Sequence, residues 1–143
     1  MKKQTRLINA GRNPEANFGI VNPPVYHAST VLFPTVAALD KATANRYDGV
    51  YYGLNGTPTT FAFQEAVAEL EGYTHAIAVP SGSAAIAAAL LAFLEQGDHL
   101  LMVDSVYGPT RRFCNSMLKR FGVETTYYDP TIGAGIAELM RPE

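Results

Sequence analysis

Residues 76–104 read AIAVPSGSAAIAAALLAFLEQGDHLLMVD, and the fold turns on them. An apolar run ends at Pro80, and Ser81-Gly82-Ser83 follows as a tight turn. An alanine-rich stretch closed by Gly97 then leads into a second apolar run, 100–104. Strand, turn, helix, strand is the order of a βαβ unit in a parallel sheet. The helix, roughly 14 residues or about 21 Å long, is enough to cross a sheet face. It is apolar on nearly every side, which predicts burial. Ser81-Gly82-Ser83 falls where the first helical turn leaves N–H groups unpaired, with the positive end of the macrodipole behind them. Gly82 admits a close ligand. Such a position binds anions, phosphate above all. An ordinary serine cap with no ligand accounts for the same residues.

Downstream, residues 105–109 (SVYGP) leave the C-terminal end of the second strand. Open α/β sheets bind their ligands at that edge, so Tyr107 is placed to meet whatever the turn holds. A helix is expected from Gly108-Pro109 through Arg120, with Phe113, Met117 and Phe121 inward and Gly122 as its stop. A third strand covers 123–128. A last short helix covers 132–140 and closes before Pro142.

Upstream, residues 59–71 form a helix capped by Thr59 or Thr60 and ended by Gly72, with Phe63, Val67 and Leu70 as its core face. Residues 47–60 (YDGVYYGLNGTPTT) are a loop dense in turn formers. Its tyrosines, Tyr47, Tyr51 and Tyr52, serve as ring anchors or as ligand contacts. In residues 1–50, Asn22-Pro23-Pro24 and Phe33-Pro34 exclude long helices. Residues 24–33 are extended in character, and a short helix over 35–45 is capped by Thr35. The segment has too few apolar positions for its own core, so it reads as an arm lying on something else, such as another subunit.

The totals narrow the function. The chain has 143 residues, 48% of them hydrophobic, so it can form a core. A net charge of −2 offers no basic field for nucleic acid. No apolar run approaches the ~18 residues of a membrane span. The start, MKKQTRLINAGRNPE, has no apolar core behind its lysines, and the single Cys114 suits a reducing cytosol, so a cytoplasmic location is expected. His27, His75 and His99 are scattered without metal-ligand spacing, so no metal site is expected. No dinucleotide fingerprint, P-loop or nucleophile elbow occurs, and Cys114 reads as a buried, inert thiol. What survives is an anion cradle at Gly82 and Ser83, with an aromatic ring, Tyr107, one strand away. Together they describe a phosphorylated aromatic cofactor. Pyridoxal phosphate fits, and the spacing alone does not choose it over a nucleotide.

The segments VNPPVYHAST, YYGLNGTPTTF, PSGSAAIAAALLAFLEQGDHLLMVDSVYGPTRRFC and YYDPTIGAGI resemble, in order and spacing, the N-terminal third of the cystathionine β-lyases. These are a branch of the transsulfuration enzymes that use pyridoxal 5'-phosphate. The resemblance implies an α/β fold: the start of the aspartate-aminotransferase-like (fold type I) large domain, preceded by an extended N-terminal arm. It divides the chain into an arm and subunit-contact loop, 1–56, and the first part of the cofactor-binding domain, 57–143. It implies that Gly82 and Ser83 bind the cofactor phosphate through backbone N–H groups, that Tyr107 stacks on the ring, and that Tyr52 reaches the phosphate of a neighbouring subunit. The arginine expected two residues after Tyr52 is replaced by Leu54, which removes a bidentate charged contact. The implied activity is β-elimination of L-cystathionine, an amino-acid substrate, to homocysteine, pyruvate and ammonia. The implied assembly is a homotetramer built as a dimer of dimers. The family's Schiff-base lysine lies in a Ser-x-Thr-Lys type motif well downstream. Lys2, Lys3, Lys41 and Lys119 do not match it, so no catalytic residue is assigned and the chain is expected to be an inactive N-terminal portion. The alternatives are a cystathionine γ-synthase, a methionine γ-lyase, or a non-catalytic anion-binding or oligomerisation module.

Overall fold

The computed structural model describes residues 3–46 and 49–141. Tyr47, Asp48 and Pro142 lie outside the described residues. Contacts gather the chain into two compact units, residues up to Ala78 and residues from Val79 on.

In the first unit, helices α1 (Lys3–Asn9), α2 (Val36–Ala44) and α3 (Pro58–Glu71) are joined by irregular chain that includes a 3₁₀ turn, Glu15–Asn17. The Thr35 side chain accepts from the Ala38 N–H and caps α2 as expected. The cap of α3 differs from the expectation. The helix starts one residue earlier, at Pro58, with Thr57 as its N-cap. Proline is favoured there because its missing N–H has no intrahelical partner to lose. Thr59 is thereby released to tie down the arm: its hydroxyl accepts from the Tyr26 N–H (2.8 Å) and donates to the Pro24 carbonyl (2.7 Å). Gly72, at φ 77°, ends the helix as predicted. The core face does not follow the expected stripe. Ala68 is buried, whereas Phe63 and Leu70 are exposed, because α1 packs on α3 and little else covers it. The α1 helix itself was not predicted. Its sequence, KQTRLIN, has no apolar stripe, and an Arg6–Glu69 ion pair of 2.6 Å ties it to α3.

The loop before α3 is held by the Gly53 N–H donating to the Ser29 carbonyl at 2.7 Å. A Cβ on Gly53 would collide with the Ala28 carbonyl. Gly53→Ala is therefore expected to destabilise this unit by about 2 kcal/mol, the cost of forcing backbone apart. A urea midpoint unchanged from the unsubstituted protein would contradict this.

The second unit holds α4 (Gly82–Phe93), β1 (His99–Val103), α5 (Gly108–Phe113) and β2 (Glu124–Tyr128). A π-helical turn, Cys114–Leu118, continues α5, and a 3₁₀-helix, Gly133–Leu139, stands where a short α-helix was expected over 132–140. The strands β1 and β2 pair in parallel from His99↔Glu124 to Val103↔Tyr128. The βαβ unit is thus real but lies one step later than expected, with α5 as its crossover. Residues 76–80 form no strand, because no described segment offers them a ladder partner. Helix α4 is shorter than expected at 12 residues and has no buried residue. Its Leu91 and Phe93 are exposed. Leu90, with Leu94 just beyond it, packs on the core. An all-apolar helix is buried only if something lies on both sides, and among the described elements of this unit α5 is its main contact.

The core is Cys114, Leu118 and Val123, with Leu90, Leu94, Leu100, Met102, Phe113 and Tyr127 around them. Phe113 faces inward as predicted, but Met117 and Phe121 are exposed. The π turn explains the difference. Each residue of a helix advances about 100°, so the residue inserted by the wider turn rotates everything after it. Cys114 and Leu118 take the buried face instead.

Candidate cofactor site

The site is built on the first turn of α4. Ser81 is its N-cap in extended conformation, and its hydroxyl accepts from the Ala84 N–H at 3.1 Å. The Ser81 carbonyl accepts from the Ala85 N–H at 3.0 Å. The N–H groups of Gly82 and Ser83 find no acceptor among the described residues. A Cβ on Gly82 would meet nothing within 4 Å, so the approach to these donors is open. The serine cap and the anion cradle are therefore compatible: the hydroxyl satisfies one donor and leaves two pointing outward.

The start of α5 lies beside this turn. Ser83, Ile86 and Ala87 of α4 and Pro109, Thr110, Arg112 and Phe113 of α5 line one cleft of about 250 Å³. Thr110 is 5% exposed, and its hydroxyl has no hydrogen-bond partner among the described residues. A buried hydroxyl with no protein partner is uncommon. Tyr107, the N-cap of α5, does not line the cleft. It is 64% exposed, so its ring is free to cover a ligand. Tyr52 lies in the other unit, half-exposed, where its carbonyl accepts from the Asn55 N–H at 2.9 Å in a turn. Leu54, beside it, is 86% exposed.

Below Tyr107 is a group of polar contacts that the sequence did not disclose. The Arg111 guanidinium donates to the Asp104 carboxylate at 2.6 Å and to the Asp104 carbonyl. Its central carbon sits 3.9 Å from the centroid of the Tyr127 ring, a cation–π distance. The Tyr127 hydroxyl donates to Asn115 Oδ1 at 2.9 Å. Burial pushes the Tyr127 phenol up from its ordinary value, so it remains a neutral donor at physiological pH. Burial likewise pushes the Cys114 thiol up, which keeps it protonated and unreactive, as the sequence suggested. No cluster of three or more metal-ligating side chains occurs among the described residues. No described helix is long and apolar enough to cross a membrane.

A start-of-helix anion cradle at the beginning of an α/β domain, with an uncovered aromatic ring on the next loop, fits an enzyme that holds a phosphorylated cofactor. A family model described as "Cys/Met metabolism PLP-dependent enzyme" matches residues 4–143, and the chain belongs to that family. It is 55% identical over 137 residues to a Rhizobium johnstonii protein provisionally named cystathionine β-lyase, covering 96% of this chain and 34% of the relative. It is 44% identical over 142 residues to the cystathionine β-lyase MetC of Escherichia coli, covering 99% of this chain and 36% of the relative. In three dimensions it is similar to metB from Corynebacterium glutamicum, with a TM-score of 0.86, 29% identity and coverage of 99% of this chain and 35% of that one. The chain therefore spans about a third of the length of the relatives it matches, and its fold is the one the resemblance implied.

The chemistry of the donor set fits the cofactor. Two unpaired N–H groups at the positive end of a helix suit a phosphate dianion, and an exposed ring suits a flat heterocycle.

Proposed function

We propose that the complete protein is a pyridoxal-phosphate-dependent carbon–sulfur lyase that cleaves L-cystathionine to homocysteine, pyruvate and ammonia in methionine biosynthesis. The observation that carries this reading is the pair of unpaired N–H groups at Gly82 and Ser83, in a chain 55% and 44% identical to two proteins named as cystathionine β-lyases. Gly82 and Ser83 hold the phosphate, and the α4 dipole adds to their pull. Tyr107 would lie against the ring and hold its plane in place. When bound, the cofactor supplies the electron sink for charge developing at the substrate α-carbon. Residues 1–56 act as an arm and subunit-contact loop, and 57–143 as the first part of the cofactor-binding domain. Through Tyr52 the arm contributes to the neighbouring subunit's phosphate in a homo-oligomer. Leu54 makes that contact weaker than an arginine would. The protein works in the cytoplasm. The 143-residue chain alone is inactive.

The test is an assay of the complete protein with L-cystathionine, L-methionine and an O-acylhomoserine. Pyruvate released from cystathionine, with little turnover of the other two, is the expected result. Preferential turnover of O-acylhomoserine or methionine would move the assignment to the synthase or the γ-lyase.

A further inference from the structure

The Tyr107 ring has no hydrogen bond or ring contact among the described residues. The place from which it is presented is set by its backbone, so whatever fixes the loop from Asp104 to α5 fixes where the ring can reach. Three backbone bonds begin that work: Asp104 N–H to the Tyr128 carbonyl (2.8 Å), Val106 N–H to Val103 (3.1 Å) and Arg111 N–H to Tyr107 (3.1 Å). The Arg111 side chain completes it. It folds back across the loop to the Asp104 carboxylate and carbonyl and sets its central carbon 3.9 Å from the centroid of the Tyr127 ring of β2. The chain from 104 to 111 is thereby closed on itself, with Tyr107 near its midpoint. We infer that Arg111 is a positioning residue that holds the Tyr107 ring in place for cofactor stacking, an inference that rests on the stacking role proposed for Tyr107 above.

Charge alone does not explain the arrangement. The side chains of Arg111 and Asp104 are 34% and 63% exposed, and an ion pair that open contributes little by itself. What matters is the combination: one guanidinium nitrogen, Nη2, donates to both Asp104 oxygens while the central carbon stays 3.9 Å from the Tyr127 ring centroid, and a compact lysine ammonium has no extended planar group to bridge the two.

The experiment uses the complete protein loaded with pyridoxal phosphate. It measures the cofactor dissociation constant and the visible circular dichroism of the bound cofactor. Arg111→Gln is expected to weaken retention about fivefold and to reduce the dichroic band, and Arg111→Lys to lose nearly as much. Arg120→Gln, an exposed cation further along the same helix, is expected to change neither. The double variant Tyr107→Ala with Arg111→Gln is expected to lose no more than Tyr107→Ala alone, because one residue acts through the other. Should Arg111→Gln not fold, Asp104→Ala removes the side-chain acceptor of the same clamp and is expected to weaken retention in the same direction. Additive losses in the double variant, or an unchanged Arg111→Gln beside a weakened Tyr107→Ala, would overturn the inference and leave the stacking role standing. An unchanged Tyr107→Ala would overturn both.

Discussion

Leu118→Ala is expected to lower the stability of the second unit by about 3–5 kcal/mol, the upper part of the range for emptying a buried leucine site. Leu118 is fully buried. It lies with Cys114 and Val123 at the centre of a ring of partly buried side chains. Those neighbours come from separate elements: Leu90 from α4, Leu100 and Met102 from β1, Tyr127 from β2. Collapse onto the vacated space would require all of them to move together, so little of the cavity can close. Leu118→Met preserves volume and is expected to cost less than about 1.5 kcal/mol. Urea denaturation of the complete protein, followed by a probe in this unit, compares the two. A loss below about 1 kcal/mol for the alanine variant would contradict the core assignment.

Tyr107→Ala is expected to weaken cofactor retention about tenfold or more, and Tyr107→Phe about twofold or less. The hydroxyl makes no hydrogen bond among the described residues and the ring is open on its exposed side. The ring face therefore carries the contribution, and aromatic stacking of this kind is worth about 0.5–1.5 kcal/mol beyond the area it covers. Cofactor dissociation measured by gel filtration and absorbance separates the two variants. Equal losses would assign the effect to the hydroxyl.

Legibility in the sequence followed how local each determinant was. Ser81 capping α4, Thr35 capping α2, Gly72 ending α3 and the apolar runs of β1 and β2 are set within a few residues, and they stand where the sequence put them. The strand expected over 76–80 requires a partner to become a strand at all, and periodicity cannot supply one. The outward turn of Met117 and Phe121 depends on a π turn that no residue pattern announced. Helix α1 has no apolar stripe and is held by contacts to α3. At the site, the Ser-Gly-Ser turn before an alanine helix was legible as a capped helix start that leaves N–H groups open at Gly82 and Ser83, and the residues alone left an anion cradle and a plain serine cap equally open. The burial of Thr110 and the Arg111–Asp104–Tyr127 contacts were not legible, because they depend on tertiary packing, which brings Arg111 to the Tyr127 ring 16 positions away.

The account stands on where the phosphate binds, and a crystal structure of the complete protein with pyridoxal phosphate measures this directly. The predicted result is phosphate oxygens at about 2.7–3.2 Å from the backbone nitrogens of Gly82 and Ser83, with the Tyr107 ring against the heterocycle. A phosphate seated away from the start of α4, with those two N–H groups still facing solvent, would contradict it.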